Sequence, residues 1–219
     1  MEAATGSLEL DLEPHHGVER LAPGAYVLRG FALPCSSEIR MALDRVTEAA
    51  PFRHMTTPGR RRMSVAMTSC GAFGWVSDQR GYRYEPVDPE TGRPWPAMPE
   101  TILRLGREAA ASAGFPGFEP DACLVNRYAP GTKLSLHQDK DELDFSWPIV
   151  SVSLGVSAIF LFGGERRQDP VARVRLAHGD VVVWGGRSRL RYHGVAPLGD
   201  AWHPFAGPCR INLTLRRAR

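Results

Sequence analysis

The amino-acid sequence predicts an α+β protein in which an α/β N-terminal half precedes a jelly roll. Two observations carry this. From Asp121 onward, short β-rich runs follow one another, with turn residues between them and no helix-period segment. They are ACLVNRY, LSLHQD, IVSVSLG, AIFLFGG, ARVRLA, DVVVWGG, RLRYHG and RINLTLR. Such a series closes into a sandwich or jelly roll rather than a βαβ sheet. Before Asp121, two segments carry helix entry and exit signals instead.

Taken in order, residues 1–23 read as a loose, mobile acidic lead that ends in the turn Ala22-Pro23-Gly24. Ala25–Arg29 reads as a first strand. Ser36 or Ser37 as N-cap, with Glu38 in the first turn, opens a helix to about Ala49, and Pro51 stops it. A second helix fits Glu100–Ala113, entered after Pro99 and closed by Gly114. Between them, MSVAMT and GYRYEP are strand-like pieces separated by Gly and Pro. The expected organisation is therefore the lead (1–23), a helix-bearing N-terminal segment (24–119) and a jelly-roll core (120–219).

At 219 residues and 43% hydrophobic, the chain suffices for one core with an elaborated extension. Residues 1–19 hold five acidic side chains and no Lys or Arg, so the rest sets 27 basic residues against 19 acidic ones. A mildly basic body suits a polyanionic partner. Cys35, Cys70, Cys123 and Cys209 are scattered without a C-x-x-C pair, which argues against a zinc ribbon and suggests no disulfide framework. The first residues show neither a basic n-region nor an apolar run, so no leader is expected, and no run approaches the ~18 apolar residues of a membrane span. A soluble, cytoplasmic monomer without membrane contact is expected.

The chemistry concentrates in LSLHQDKDE, Leu134 to Glu142. In a strand, successive side chains alternate between faces, so His137 and Asp139 share one face and can converge on one ion. An isolated H-x-D is more often a strand running into a charged turn. A third ligand on a later strand decides between these readings, and His193 in RLRYHG supplies it. Two His and one carboxylate on one side of a metal form the facial triad of non-haem Fe(II) oxygenases. Zinc accepts the same ligands. His178 is a rival ligand, although A-H-G-D reads more simply as a tight turn.

In RINLTLR, Arg210, Asn212, Thr214 and Arg216 share one face, opposite Ile211, Leu213 and Leu215. This is either an antiparallel strand with a wet polar face or a pair of guanidiniums set for a small dicarboxylate. Asn126 and Tyr128, again at i and i+2, add an amide and a phenol.

These motifs, in this chain order, resemble the AlkB family of iron- and 2-oxoglutarate-dependent nucleic-acid dealkylases, and its bacterial members most. The likeness runs from about Ala25 to Arg216 through PFRHMTTPG, MSVAMTSCG, GYRYEPVDPETGRPWPAMP, FEPDACLVNRYAPGTKLSLHQDKDE, HGDVVVWGG and R-x-N-x-T-x-R. It implies a double-stranded β-helix, a jelly roll, topped by an N-terminal nucleotide-recognition lid. It implies that His137, Asp139 and His193 hold Fe(II). Asn126, Tyr128, Arg210, Asn212 and Arg216 would then hold 2-oxoglutarate, with Arg210 on its distal carboxylate and Arg216 near the metal-bound end.

The implied reaction consumes O2 and turns 2-oxoglutarate into succinate and CO2. It demethylates 1-methyladenine and 3-methylcytosine in single- or double-stranded DNA, and in RNA, with release of formaldehyde as direct-reversal repair. The resemblance places Trp75, Tyr82, Tyr84, Met67, Asp141 and Arg167 around the base. Lys133, Lys140 and Arg60-Arg61-Arg62 are candidates for phosphates, although a charge run is usually a solvated face, and the triple arginine departs from the family's less charged turn. The alternative function is 2-oxoglutarate-dependent hydroxylation of a protein or small molecule, which the aromatic and acidic pocket residues disfavour. A non-catalytic nucleic-acid-binding jelly roll is disfavoured by the triad and the two arginines.

Overall fold

The computed structural model describes residues 17–219. The expected acidic lead falls outside this range as far as residue 16. Its last part is not loose. Strand β1 (Gly17–Ala22) runs antiparallel to β2 (Ala25–Arg29), with Gly24 at φ +79° in the turn between them. Four of its six residues are exposed, so β1 carries little of the apolar alternation by which a strand is read. Backbone pairing and a Glu19–Arg29 ion pair (2.6 Å) hold it instead.

Helix α1 (Ser36–Ala49) and helix α2 (Glu100–Ser112) form where expected. The serine cap does not. A 3-10 turn over Leu33–Cys35 runs directly into α1, so the Ser36 N–H already bonds the Leu33 carbonyl and no side chain caps the helix. Strand β3 (Ala66–Gly71) starts later than MSVAMT suggested. Strand β4 (Gly74–Asp78), not foreseen between its glycines, pairs with β5 (Gly81–Glu85) as a separate hairpin.

The remaining strands are β6 (Ala122–Tyr128), β7 (Leu134–His137), β8 (Ile149–Gly155), β9 (Ala158–Phe162) and β10 (Ala172–Leu176). They are followed by β11 (Val181–Trp184), β12 (His193–Val195) and β13 (Arg210–Arg216). Of RLRYHG only its end is strand: a 3-10 turn at Gly186–Ser188 displaces the start, so His193 opens β12.

These strands make a jelly roll. The larger sheet has the order β1-β2-β11-β8-β13-β6-β3, and the smaller one β10-β9-β12-β7. The N-terminal β2 and β3 hydrogen-bond to β11 and β6, so the division expected near residue 120 is crossed by continuous sheet on both sides.

Period-two alternation assigns each face of the larger sheet. Val150, Val152 and Leu154 of β8, with Ile211, Leu213 and Leu215 of β13, join Ile39, Leu43, Ile102 and Leu105 of the helices in one core. Burying each such side chain contributes roughly 1.5–3 kcal/mol. The opposite face turns toward the smaller sheet. There Ile149, Phe160, Phe162, Val182 and Trp184 form one apolar cluster, and Met67, Leu124, Tyr128, Val156 and Val195 form another.

The β4–β5 hairpin is pinned to its support by one close approach. A Cβ added at Gly74 would lie 2.2 Å from Cε2 of Trp95. That indole is 5% exposed, donates from Nε1 to the Glu85 carbonyl (3.0 Å) and lies beneath the Arg53 guanidinium. Gly74→Ala should therefore cost about 1–3 kcal/mol by overpacking, against almost nothing for a strand alanine in open space. Thermal denaturation should show a melting point lower by several degrees; an unchanged one would mean that Trp95 yields freely.

Candidate active site

Strands β7 and β12 are neighbours in the smaller sheet, and their register places His137 directly opposite His193. Asp139 lies just past the end of β7. Oδ1 of Asp139 is 3.5 Å from Nε2 of His137, and Oδ2 is 3.6 Å from Nε2 of His193. One ligand atom from each of the three lies within 4.8 Å of the others. The tautomers follow from the backbone. Nδ1 of His137 is 2.8 Å from the Ser135 carbonyl, and Nδ1 of His193 is 3.1 Å from that of Arg191. A carbonyl only accepts, so each Nδ1 carries the proton and each Nε2 presents its lone pair inward, the usual second contact of a metal-binding imidazole. The rival His178 is elsewhere. Its Nδ1 accepts from the Gly155 N–H (3.0 Å), and Asp180 N–H to Ala177 O closes the expected A-H-G-D turn.

Around the triad lies a buried charge network that the sequence did not reveal. Arg216 donates from Nε to Oδ2 of Asp139 (2.9 Å) and approaches Glu142 at 3.3 Å. Glu142 also accepts from Arg189 (2.9 Å) and from the Tyr84 hydroxyl (2.8 Å), and Arg189 donates to the Asp139 carbonyl (2.8 Å). Burial alone would raise the Asp139 carboxyl, but the Arg216 guanidinium beside it holds it well below the usual carboxylate range. Burial pushes the Tyr84 phenol well up, so it stays protonated and donates. In sequence, Glu142 closes the charged stretch LSLHQDKDE and Arg189 opens the strand-like run RLRYHG, and neither stands out as a site residue. Only the fold buries them, to 6% and 3% exposure.

The polar face of β13 settles its own ambiguity. All seven residues of the strand are buried, so Arg210, Asn212, Thr214 and Arg216 face a cavity rather than bulk water. Asn212 donates to Ser151 Oγ (2.8 Å) and to the Val152 carbonyl (3.0 Å), and its Oδ1 accepts from Thr214 (2.9 Å) and Asn126 (3.4 Å). Arg210 lies over the Tyr128 ring and donates from Nη2 to Ser153 Oγ (3.0 Å). Its Nε and Nη1 are buried with no partner, as is Oδ1 of Asn126. Burial lowers the Arg210 guanidinium below its ordinary value, with Tyr128 opposing. A buried guanidinium without a carboxylate is costly, and a bound dicarboxylate removes that cost. Of the two arginines only Arg210 is left in this state, since Arg216 is taken by Asp139 and Glu142. Orphaned donors beside a two-histidine, one-carboxylate set fit both Fe(II) and 2-oxoglutarate.

A cavity of about 520 Å³ joins these parts. The triad, the Arg210–Arg216 face, Asn126 and Tyr128 line it, and so do Met67, Trp75, Tyr82, Tyr84, Asp141 and Arg167. Trp75 stacks on Tyr82 (centroids 5.6 Å apart, planes at 11°) and donates from Nε1 to Oδ2 of Asp141 (2.8 Å). Trp75 and Tyr84 are opposite one another in the hairpin, so the adjacent Asp141 and Glu142 each fasten one strand of it to the metal loop. Arg167 lies over the Tyr192 ring.

The sequence signature of the 2OG-Fe(II) oxygenase superfamily matches residues 24–216. The chain is 56% identical over 208 residues to the Alpha-ketoglutarate-dependent dioxygenase AlkB of Escherichia coli K12, covering 95% of each chain. It is 36% identical over 186 residues to the DNA N(6)-methyladenine demethylase ALKBH1C of Arabidopsis thaliana, covering 73% of this chain and 41% of that one. Among solved structures it resembles OsALKBH1, with a TM-score of 0.81 at 30% identity, over 92% of this chain and all of that one. Together with the triad and the orphaned Arg210, these likenesses establish that the chain belongs to the AlkB family of Fe(II)- and 2-oxoglutarate-dependent dioxygenases.

Proposed function

We propose that this chain oxidatively demethylates N-alkylated bases of nucleic acid, 1-methyladenine and 3-methylcytosine in single- or double-stranded DNA and in RNA, as a direct-reversal repair enzyme. The observation that carries this reading is that an indole and a carboxylate share the cavity of the triad, held together by the Trp75–Asp141 hydrogen bond. Methylation at N1 of adenine or N3 of cytosine leaves a cationic base that pairs poorly, so extruding it costs least. An aromatic face and a nearby anion suit such a cation.

In this reading His137, Asp139 and His193 would hold Fe(II) through Nε2, a carboxylate oxygen and Nε2 in turn. Arg210 pairs with the distal carboxylate of 2-oxoglutarate, while Asn126, Asn212 and Tyr128 surround it. Arg216 fixes the Asp139 carboxylate. When bound, iron with 2-oxoglutarate and O2 supplies the oxidising power that hydroxylates the N-methyl group, leaving succinate, CO2 and, after release, formaldehyde. Trp75 and Tyr82 stack on the base, and Asp141 faces its charge. The enzyme is taken to act in the cytoplasm as a monomer. No helix among the described residues is long and apolar enough to cross a membrane.

His193→Ala removes one of three metal ligands, so tight Fe(II) binding and formaldehyde release from a methylated oligonucleotide should both be lost while the far-ultraviolet dichroism is kept. Full activity in that variant would remove His193 from the triad. Arg210→Ala should raise the Michaelis constant for 2-oxoglutarate ten- to a hundredfold, since charge-assisted hydrogen bonds contribute about 1.5–3 kcal/mol. An unchanged constant would place the co-substrate elsewhere.

Asp141→Asn keeps an acceptor for the Trp75 indole and deletes only the charge. The ratio of kcat/KM for 3-methylcytosine to that for neutral 3-methylthymine should therefore fall, measured on matched single strands at fixed salt. Equal losses on the two lesions would show that Asp141 only positions Trp75.

A further inference from the structure

The stretch from Asp139 to Trp147 joins β7 to β8 and brings three carboxylates to the cavity: Asp139 at the triad, Asp141 on the Trp75 indole and Glu142 on the Tyr84 hydroxyl. It has no helix or strand of its own. Such a stretch places its side chains well only if groups outside it take up its backbone. Its Leu143 N–H reaches the Ala218 carbonyl (3.2 Å), and Asp144 accepts from the Ser146 N–H (2.8 Å) in a local turn.

Arg189 spans the remainder. It donates from Nη1 to the Asp139 carbonyl (2.8 Å), from Nη2 to Oε2 of Glu142 (2.9 Å) and from Nε to the Trp147 carbonyl (3.1 Å). One buried guanidinium thus holds the first, the fourth and the last residue of the stretch, and the Phe145 ring lies 5.2 Å beneath it. A planar fork is preorganised for three acceptors in different directions; an ammonium is not. The base of the side chain is fixed as well. Arg189 follows the 3-10 turn at Gly186–Ser188, with its own N–H on the Gly186 carbonyl (3.1 Å), and Ser188 Oγ donates to the Pro23 carbonyl (2.8 Å). His193 stands a few residues further along the same segment, opposite His137. Gln138 ties the two segments a second time, from Nε2 to the Leu190 carbonyl (2.6 Å).

We propose that Arg189 is a positioning residue for the reaction: it sets the separation between the segment that leads to His193 and the loop that bears Asp139 and Asp141, and so aligns the bound base with the triad. The proposal rests on the nucleic-acid reading above and adds to it a residue that does not line the cavity. Arg216 holds the Asp139 carboxylate from its own side, so the ligand set survives without Arg189. What is lost is the placing of Asp141, and with it Trp75, against the triad. A misplacement of about 1 Å can lower a reaction about 100-fold, whereas decarboxylation of 2-oxoglutarate does not need the methyl group in line.

The test compares the full-length wild type with Arg189→Lys, which keeps a positive charge beside Glu142 and removes the fork. In the metal-free protein the amides of residues 139–147 should exchange with deuterium about tenfold faster or more, the loss of one charge-assisted bond. Turnover is then measured on a 3-methylcytosine oligonucleotide at saturating Fe(II) and 2-oxoglutarate, with ascorbate as reductant. The ratio of succinate formed to formaldehyde released should rise several-fold, because co-substrate is consumed without oxidation of the methyl group. The Michaelis constant for 2-oxoglutarate should stay at the wild-type value, since Arg210, Asn212 and Asn126 lie on β13 and β6. Phe145→Ala removes only the ring beneath the guanidinium, at a partly exposed position, and should shift exchange and coupling in the same direction by less.

Faster exchange with wild-type coupling in Arg189→Lys would overturn the proposal and leave Arg189 a stabiliser of the loop. Unchanged exchange would overturn it too, since the loop would then hold without the fork, and so would a raised Michaelis constant for 2-oxoglutarate, which would move the effect to the co-substrate. If far-ultraviolet dichroism shows Arg189→Lys unfolded, Phe145→Ala decides, and wild-type exchange and coupling there would overturn the proposal. Failure of the wild type itself to release formaldehyde from the strand would instead remove the nucleic-acid reading, while the exchange rates would still report whether Arg189 holds the loop.

Discussion

Arg216 is the group on which the catalytic end of the molecule depends. Its guanidinium is buried and touches both Asp139 and Glu142. Glu142 in turn takes Arg189 and Tyr84, and Arg189 holds the backbone of Asp139. Two arginines and two carboxylates thus close a neutral set inside the sandwich, with a phenol as the last donor. Removing one member of such a buried set typically costs about 3–5 kcal/mol, because the partner is left charged and dry. Asp139 is therefore not free to swing, and the hairpin that bears Tyr84 and Trp75 is tied to the same loop. The aromatic wall of the cavity and the candidate metal site share one support.

The polar interior is possible because β13 has two unlike faces. Its leucines and isoleucine seal against α1 and α2, while the alternate row must be polar in a place without water. Almost every group in that row finds a partner among Ser151, Ser153, Asn126, Asp139 and Glu142. Arg210 alone keeps two donors unmatched, together with the Asn126 carbonyl oxygen. In this polar row the incomplete satisfaction is confined to Arg210, with Asn126 of the adjacent β6. A ligand that completes it must bring negative charge, and the iron that joins it brings positive charge, so the pair loads the site with little net change.

Much of this could be read along the chain, because strands buried on one or both faces betray themselves by alternation. β6, β8, β9, β10, β11 and β13 were legible for that reason, and so was the His137–Asp139 pair. What escaped depended on tertiary partners. β1 is exposed over most of its length and exists because β2 offers an edge. β4 hid between glycines, one of which is there to admit the Trp95 ring. β12 is three residues long and borrows its direction from β9 and β7. The serine cap of α1 lost to a preceding turn. Glu142 and Arg189 look like any surface charges until the fold excludes water from them. The resemblance supplied Trp75 and Asp141 as pocket residues; only the structure places a hydrogen bond between them.

β13 is the last jelly-roll strand in chain order, yet it lies in the middle of the larger sheet, between β8 and β6. As the polypeptide leaves the ribosome, both of those strands present apolar, unpaired edges until residues 210–216 arrive. Long-range pairing of this kind is slow and leaves the nascent sheet open to wrong partners. Asp139 meanwhile has no Arg216 to neutralise it. Iron capture and closure of the barrel are thus tied to the same late event, and a half-made chain has neither a complete sheet nor a site able to run oxidising chemistry.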